Sequence, residues 1–375
     1  MQVSKDHKIL FVGDVVLESK PQFSEPFNAL FQSAKIKSCN FEAPISGFGQ
    51  PIVKTGPLVS QNPKAGKWLI DLGFNLFSLA NNHIYDYGKE ALDATINSLP
   101  ANEIIGAGDE EKAYAINIQI VEGIKYGFLS LGENGYGALN GDREYGHAWI
   151  NSEAVPQIIK KNKETVDVLL VQVHAGVELL DVPIPEWKTR FKELIDYGAD
   201  VIIGHHPHIV QGYEDYKGKK IFYSLGNFYF DYPSNHPQWN IGAVLTLDFK
   251  DKILNNFEIN IIERVGDEIQ LKEKSYSDEF LKKLNQKNSS EDYISYVNQK
   301  AVEDWDKHHK NYYAKPFNGL TNYSPIKLLK HLKRTFFNRD VDYSLLWHNQ
   351  FIESNRWLVE RAIRVKMGYS KNRIK

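Results

Sequence analysis

Gly204-His205-His206-Pro207-His208 directly follows Val201–Ile203, a short apolar run typical of a buried strand. Three histidines within five residues supply imidazole nitrogens, which borderline divalent metals accept as ligands. Proline favours extended backbone at itself and at the residue before it. This predicts that His206 and His208 point to one side of the chain and His205 to the other. The segment therefore predicts a metal site at the end of a strand.

Polar residues follow four earlier apolar runs in the same way. They are Asp14 after Ile9–Val12, Glu42 after Ile36–Cys39, Asn81-Asn82-His83 after Leu76–Ala80, and His174 with Glu178 after Val168–Val173. Sites in α/β sheets form where the carboxyl ends of strands converge, so these clusters are expected to meet at one edge. Taken singly, each residue also fits a structural role, such as a helix cap, a turn or a hydrogen-bonded core histidine. The repetition of one structural position favours a shared site.

The residue types at these positions suit hard or borderline divalent ions. The expected ligands are two carboxylates, one amide and three imidazoles, from Asp14, Glu42, Asn82, His174, His206 and His208. Cys39 is the only cysteine, so neither an internal disulfide nor a thiolate cluster is expected.

The first 265 residues alternate apolar runs with helical stretches, which is the βαβ pattern of a layered α/β domain. Helices are expected over Pro63–Leu72, Lys89–Leu99, Ser152–Asn162 and Glu186–Tyr197, and antiparallel strand pairs over Tyr114–Ser130 and Ala243–Ile262. After Gly266 the sequence becomes polar and helical, and then aromatic and basic. We therefore expect an α/β domain over residues 1–265 and a mostly helical, basic extension over 266–375.

Two segments far apart in the chain share one pattern. Laid over Ile195–His208, the segment Ile70–His83 repeats a helix, a glycine that ends it, a strand and a polar loop that finishes at a histidine. The offset is too long for a solenoid repeat. The echo predicts two halves of one sandwich, each of which brings a histidine to a shared edge.

The composition is that of a folded globular protein, with 42 % hydrophobic and 25 % charged residues. The first apolar run, Ile9–Val12, is shorter than the core of a signal peptide, and no stretch of about 18 apolar residues occurs. Together with the single cysteine, this predicts a reducing, cytoplasmic setting.

The C-terminal end differs in charge from the rest of the chain. Residues 325–375 contain 12 Lys/Arg against 4 Asp/Glu, whereas the remainder contains 33 against 43. A predicted helix there interleaves apolar with basic residues and places on one face Ile326, Leu329, Lys333 and Phe336. Four interpretations stay open: a solvated face, packing against the main domain, peripheral contact of 325–375 with the inner membrane, and contact with a nucleotide-linked substrate. Nucleic acid is not expected as a partner because the domain that holds the site is net acidic.

The order of these clusters resembles the calcineurin-like metallophosphoesterase superfamily and, within it, the branch of capsule synthesis, CapA or poly-γ-glutamate synthesis proteins. The matching motifs are Val12-Gly13-Asp14, Asn40-Phe41-Glu42, Lys54-Thr55-Gly56-Pro57, Leu79–Gly88, Gly106-Ala107-Gly108, His174–Glu178, Gly204–Gln211 and Tyr223–Phe228. They cover about residues 8–265 and leave 266–375 unexplained. The resemblance implies an α/β fold, a four-layer αββα sandwich with a metal site along one edge.

Residue by residue, the resemblance makes Asp14 the first metal carboxylate and Glu42 the bridging one. Asn82 is a ligand, and His83 meets the phosphate or protonates the leaving group. The other ligands that it implies are His174, His206 and His208.

One position departs from the superfamily, which has a histidine two residues after the first aspartate where this chain has Val16. Either the metal at that position is weak or absent, or another residue compensates. The candidates for this role are Glu18, His205 and Glu178, and Asn81 is an additional candidate for the site.

The implied function is a metal-dependent phosphoester hydrolase in capsule or other surface-polymer biosynthesis, with Asp14 and His83 as catalytic candidates. One or two ions of Mn, Fe, Zn or Ni are expected, with a phosphorylated or glycan-type small molecule or polymer as substrate. Two alternatives stay open. A non-catalytic, metal-stabilised scaffold of a capsule assembly complex is favoured by Val16, and γ-glutamyl amide chemistry is suggested only by the name of the branch.

Overall fold

A computed structural model describes residues 7–317, 324–337 and 341–369. The described residues divide into two compact units. Residues up to 288 form the first unit, apart from 53–57, which belong with the residues after 288 in the second. The sequence changes in character after residue 265, whereas the boundary between the two units falls after residue 288. The division into domains at residue 265 stays a prediction.

Strands alternate with helices in the first unit and give way to helices in the second. The strands of the described residues are β1 His7–Val16, β2 Gln22–Phe23, β3 Ile36–Phe41, β4 Leu76–Ser78, β5 Ile104–Ile105, β6 Ala107–Asp109, β7 Asn117–Val121, β8 Ile124–Gly132, β9 Tyr145–His147, β10 Val168–His174, β11 Val201–His205, β12 Tyr213–Tyr216, β13 Lys219–Phe222, β14 Asn227–Phe230, β15 Ile241–Lys250, β16 Ile253–Val265 and β17 Glu268–Leu271. The α-helices are α1 Glu25–Gln32, α2 Ala65–Leu72, α3 Gly88–Asn97, α4 Glu110–Ala113, α5 Val155–Lys163, α6 Pro185–Tyr197, α7 Lys274–Ser289, α8 Tyr293–Asp304, α9 Lys310–Ala314, α10 Pro325–Phe337, α11 Tyr343–Phe351 and α12 Glu353–Lys366.

Two mixed sheets form the body of the first unit. The larger has the order β2-β17-β16-β15-β1-β3-β4-β5, with β14 also paired to β1. The smaller has the order β12-β13-β11-β10-β8-β7 and is parallel from β13 to β8. The two predicted antiparallel pairs are confirmed as β7 with β8 and β15 with β16.

Apolar side chains from alternate positions of β1 fill both sides of the larger sheet. Ile9 and Phe11 pack toward the smaller sheet, whereas Leu10 and Val12 pack with helices α1 and α2. Helix α6 packs on β11 and β13 and buries Phe191 against the smaller sheet. The layers are therefore helix, sheet, sheet and helix, which confirms the α/β fold class and the αββα sandwich.

The two halves of the sequence echo fold alike and enter different sheets. Gly73 ends α2 with φ of 105°, and Gly198 ends α6 with φ of 126°. In each case the glycine N–H donates to carbonyls of the last helical turn, a geometry that favours glycine because it has no Cβ. The strand that follows is β4 of the larger sheet in one half and β11 of the smaller sheet in the other.

The second unit is mostly helical, as the sequence predicts for the C-terminal region. The buried guanidinium of Arg361 in α12 donates to Asn298 Oδ1 of α8 at 2.9 Å, which joins these two helices. No helix among the described residues has both the length and the apolar character needed to cross a membrane. Residues 338–340 and 370–375 of the basic segment lie outside the described residues.

Candidate metal centre

Strand register brings the predicted ligands side by side. In the larger sheet, Asp14 lies opposite Asn40 of β3 and Asn227 of β14. In the smaller sheet, His174 lies opposite His205. Because these residues stand at or near the carboxyl ends of parallel strands, both sheets present polar side chains at one edge.

Asp14 and Glu42 are fully buried and share one hydrogen-bond donor. Asn40 Nδ2 lies 2.9 Å from Asp14 Oδ1 and 3.2 Å from Glu42 Oε2. The same nitrogen lies 3.1 Å from His174 Nδ1. The ligand prediction included Glu42 but not Asn40, although residues two apart on a strand share a face.

His174 connects the carboxylates to both histidine-bearing loops. Its Nε2 lies 2.9 Å from Asn82 Oδ1, 3.0 Å from His206 Nδ1 and 3.6 Å from Glu42 Oε1. Imidazole, amide and carboxylate groups that can each donate a lone pair therefore converge on one small space.

The backbone around Pro207 is not extended, so the prediction of an extended segment is wrong. His206 has φ of 94° and His208 has φ of 59°, both in the left-handed region. The His206 N–H donates to Asp14 Oδ2 at 3.2 Å, and the Pro207 carbonyl accepts from the N–H of Leu179 at 2.9 Å. These long-range hydrogen bonds hold a backbone that costs about 1–3 kcal/mol for each non-glycine residue and that occurs preferentially at functional sites.

His205 points into the cluster, whereas the sequence predicts that it points away. Its Nδ1 lies 3.5 Å from Asp14 Oδ1, and its Nε2 lies 3.3 Å from Gln172 Oε1. The prediction fails because His206 and His208 leave the strand direction, so strand alternation no longer separates the three side chains.

The His208 ring lies between the two carboxylates and an aromatic wall. Its Nδ1 is 2.9 Å from Asn227 Oδ1 and 3.4 Å from Asp14 Oδ2, and its Nε2 is 3.8 Å from Glu42 Oε1. Its ring centroid is 4.7 Å from that of Phe230. The aromatic contact holds the imidazole plane in place beside the carboxylates.

Val16 is buried in an apolar cluster beside this wall. Its partners are Ala43, Val59 and Phe230, with Trp239 packed against them. The position at which the superfamily has a histidine is therefore part of the packing in this chain and supplies no polar atom.

Two of the three residues expected to compensate lie at the cluster. His205 does so through its contact with Asp14. Glu178 is exposed, and one of its oxygens lies within 4.8 Å of ring nitrogens of His206 and His208. Glu18 is exposed and falls outside the groups of close ligand atoms found among the described residues.

Opposite pKa shifts distinguish the two buried carboxylates. Burial alone would raise the pKa of Asp14, but the adjacent imidazoles of His205 and His208 hold that pKa well below its usual value. Burial and the negative charge of Asp14 raise the pKa of Glu42 well above its usual value. Glu42 therefore lies where a negative charge lacks compensation, and a nearby cation reverses such a shift.

The pKa values of the histidines at the site also shift in opposite directions. Burial and the neighbouring His206 lower the pKa of His174 well below its ordinary value, so its ring is neutral and offers a lone pair. Burial opposes protonation of His206 and His208 too, but the carboxylates of Glu133 and Asp14 outweigh it and raise the pKa of both rings.

The donor set is compatible with a metal site. Glu42 Oε1 is buried and has no hydrogen-bond partner among the described residues, which is a costly state for a carboxylate oxygen. Glu42 belongs to two groups whose ligand atoms lie within 4.8 Å of one another, one with His174 and His206 and the other with Asp14 and His208. A cation held by either group would offset the negative charge of Glu42.

His83 stands beside the ligands and is held by a carboxylate. Its Nδ1 lies 2.7 Å from Asp86 Oδ2. Asn81 connects it to the cluster, because Asn81 Oδ1 accepts from the His83 N–H at 3.3 Å and Asn81 Nδ2 donates to the Phe41 carbonyl at 2.9 Å. The structure thus gives Asn81 a supporting position.

Glu133 is a site residue that the sequence analysis missed. It is 2 % exposed, and its Oε1 lies 3.1 Å from His206 Nε2. Because Nε2 faces this carboxylate, Nδ1 faces His174 and the ligand group. Glu133 directly follows β8, so it carries the same strand-end signal as Asp14, although the pattern of residues 114–130 before it indicates only an antiparallel strand pair.

Comparison with known proteins connects this site to a family. Residues 8–232 match the family described as bacterial capsule synthesis protein PGA_cap. The chain is 34 % identical to the capsule biosynthesis protein CapA of Bacillus anthracis over 181 residues, which are 46 % of this chain and 44 % of that protein. It is 30 % identical to the PGA biosynthesis protein CapA of Bacillus subtilis over 246 residues, 59 % of this chain and 62 % of that protein. The chain thus spans less than two thirds of the length of these relatives.

A solved structure of NAD nucleotidase from Haemophilus influenzae is similar over 75 % of this chain and 56 % of that chain, with 13 % identity and a TM-score of 0.39. The family match covers more than half of the 375 residues and contains every candidate ligand from Asp14 to His208. The resemblance to the capsule synthesis branch is confirmed, and this chain belongs to the PGA_cap family of bacterial capsule synthesis proteins.

Proposed function

We propose that this chain is a metal-dependent phosphoester hydrolase that acts in the synthesis of a capsule or another surface polymer. The observation that carries the proposal is Glu42, a fully buried carboxylate with an unpaired oxygen that belongs to two adjacent groups of ligand atoms. A carboxylate shared in this way suits one or two divalent ions, from among Mn, Fe, Zn and Ni. A phosphorylated or glycan-type small molecule or polymer is the proposed substrate.

The proposed metal ligands form two positions that share Glu42. Asp14 and His208 complete one position, and His174 and His206 complete the other. When bound, a divalent ion supplies Lewis acidity, which polarises a phosphoryl oxygen and acidifies water. Asn82, whose Oδ1 already faces His174 at 2.9 Å, is the proposed amide ligand.

His83 is the proposed general acid for the leaving group. The Asp86 carboxylate at its Nδ1 fixes the orientation of the ring, and Asn81 holds its backbone. A histidine whose one nitrogen is held by a carboxylate can transfer a proton at the other.

A second candidate function is a non-catalytic scaffold stabilised by metal. Val16 favours it, because an apolar cluster takes the place of a histidine ligand. A site that binds metal but lacks one ligand retains the folding role of the ion while its reactivity is reduced.

Metal analysis combined with two phosphoester assays distinguishes the two functions. The purified protein is analysed for Mn, Fe, Zn and Ni and then assayed on p-nitrophenyl phosphate and bis-p-nitrophenyl phosphate. Hydrolysis that depends on bound metal supports the enzyme. Bound metal without turnover of either ester supports the scaffold, and the absence of metal binding overturns both.

A pair of carboxylate variants locates the activity. Glu42→Gln should remove metal and hydrolysis together, because Glu42 belongs to both ligand groups. Glu18→Gln is the matched control, since Glu18 is exposed and should retain both properties. Hydrolysis that survives in Glu42→Gln would place the reaction elsewhere.

A further inference from the structure

Helix α10, Pro325–Phe337, has a composition unlike that of the other described helices of the second unit. It contains four Lys/Arg residues and no Asp or Glu. Helices α8 and α12 contain acidic residues, α9 contains a single lysine, and α11 contains no Lys, Arg, Asp or Glu. The charge of α10 is therefore of one sign along its whole length.

The apolar side chains of α10 that the structure describes are exposed. Ile326 and Leu329 are each 68 % exposed, and Leu328 and Leu332 are 41 % and 43 % exposed. These exposed fractions show that this face of α10 is not packed inside the protein. Exposed apolar clusters of this kind mark surfaces that bind a partner or a membrane.

The exposed residues are segregated around the helix. At 3.6 residues per turn, Leu328, Leu329 and Leu332 lie on one half, and Ile326 lies at its margin. Lys330 and Lys333 are exposed too, and they lie near the edge of the apolar face that carries Ile326. Basic side chains there can extend their ammonium groups toward phosphate while their methylene stems cover apolar surface.

We infer that α10 is an interfacial helix that lies in the headgroup region of a bilayer containing anionic phospholipids. A face of leucine and isoleucine flanked by lysine, with no acidic residue in the helix, is complementary to such a surface in both apolar character and charge. At 13 residues α10 is too short to span the hydrocarbon core, which takes about 20, so it lies on the membrane. The remaining residues from 338 to 375 are also net basic and add to the attraction.

Vesicle sedimentation of the full chain tests the inference. Vesicles of phosphatidylcholine alone are compared with vesicles in which about a third of the lipid is phosphatidylglycerol. The chain should bind the anionic vesicles at least about ten-fold more tightly, and raising the salt concentration to about 0.5 M should remove most of that preference. Equal binding to both vesicles, or binding to neither, overturns the inference.

Two double variants distinguish membrane binding through α10 from non-specific adsorption through exposed apolar side chains. Ile326→Ser with Leu329→Ser should weaken binding by about ten-fold for each side chain removed. The matched control is Ile120→Ser with Ile253→Ser, which removes side chains that are 64 % and 71 % exposed in the first unit and should leave binding unchanged. Equal loss in both double variants would rule out a specific role for α10.

The charge contribution is tested separately. Lys330→Gln with Lys333→Gln should weaken binding to anionic vesicles by about five-fold per lysine and leave binding to neutral vesicles unchanged. All variants are compared with the unaltered chain by circular dichroism, which shows whether they are folded. If the lysine variant binds anionic vesicles as tightly as the unaltered chain, the electrostatic part of the inference is wrong.

Discussion

The segments Ile70–His83 and Ile195–His208 have the same local design and different surroundings. Each contains a helix, a glycine with left-handed φ, a strand and a loop that ends in histidine. His83 faces Asp86 at 2.7 Å, a carboxylate from its own loop. His208 faces Asp14 of β1 and Glu42, which directly follows β3, so both carboxylates come from distant parts of the chain. The same local pattern thus delivers a histidine to the site edge, and the residues that neighbouring strands supply decide its role.

Each half also has one histidine held by a carboxylate, but the pairs differ in origin. Asp86 lies three residues after His83, so local sequence can form that pair. Glu133 directly follows β8 and reaches His206 only because the smaller sheet brings the two together. Three predictions test whether the two halves separate metal binding from proton transfer, and two further predictions concern stability.

The largest effect is expected for His208→Ala. Loss of this imidazole leaves the position shared by Asp14 and Glu42 with one ligand fewer, so bound metal should fall by about one ion and hydrolysis should be abolished. Elemental analysis and the phosphoester assay measure both. His236→Ala, in a loop outside the ligand groups, is the control. Full metal content in His208→Ala would contradict the assignment.

His83→Ala should reduce turnover by about 10²–10⁴-fold and leave metal content intact, because general acid assistance is lost while the ligands remain. Asp86→Asn should give a smaller loss, since the ring stays but its orientation is weakened. Full activity in His83→Ala would remove this residue from the mechanism. Loss of metal in His83→Ala would instead assign His83 to metal binding.

Glu133→Ala should weaken metal binding by about 10–100-fold, because the orientation of His206 depends on this carboxylate. Titration with metal under competition from a chelator measures the affinity. Glu133→Gln should restore part of it, since the amide oxygen can still accept from His206. Glu144→Ala, at an exposed position of the following loop, should have no effect. An unchanged metal affinity in Glu133→Ala would show that Glu133 contributes only to packing.

His147 is a buried histidine that lies outside both of the compared segments. Burial, with the positive charge of Arg143, lowers its pKa to about 4, while its Nε2 donates to the Glu133 carbonyl. The unfolded chain, with a pKa of about 6.5, therefore binds the extra proton first, and the free energy of unfolding falls as pH drops from about 6.5 toward 4.

Between pH 7 and pH 5, His147 should therefore cost the metal-free protein about 2 kcal/mol of stability. Urea unfolding in the presence of a chelator measures the difference. His147→Gln keeps an amide donor for the Glu133 carbonyl and should lack this part of the pH dependence. The same pH dependence in both proteins would show that other groups cause it.

The smallest effects are expected at the two helix-ending glycines. Gly73→Ala and Gly198→Ala should each lower the free energy of unfolding by about 1 kcal/mol, because alanine is disfavoured at φ of 105° and 126°. An added Cβ meets no atom closer than 3.9 Å at Gly73 and 3.4 Å at Gly198, so backbone strain is the main cause. Metal content should stay unchanged in both. A loss of metal in one variant would show that its helix end positions the site.

Much of the fold could be predicted because its signals are local. The apolar runs that became β1, β3, β10 and β11 are short and bounded by polar residues, and the glycines at the ends of α2 and α6 mark helix ends wherever they occur. Strand ends were predicted as the location of the ligands because parallel strands in an α/β sheet share one carboxyl edge.

The errors all arose where distant residues change a local preference. Proline predicts extended backbone at His206, but a hydrogen bond to Asp14, 192 residues earlier, holds a left-handed turn. That turn also places His206 and His208 beside Asp14, on the same side as His205. Glu133 could be found by applying the strand-end rule to β8, but its partner His206 is identifiable only from the pairing of strands within the smaller sheet.

The sequence by itself determined the α/β class, the two similar halves, the family and the identity of most candidate ligands. These depend on periodicity, on glycine geometry and on residue chemistry, which are properties of short segments. Only the tertiary structure decided that Glu42 is shared by two groups of ligand atoms, that an apolar cluster encloses Val16, and that the apolar face of α10 is exposed. Those facts depend on which surfaces meet, and burial and long-range hydrogen bonds are set by the packing of the whole chain.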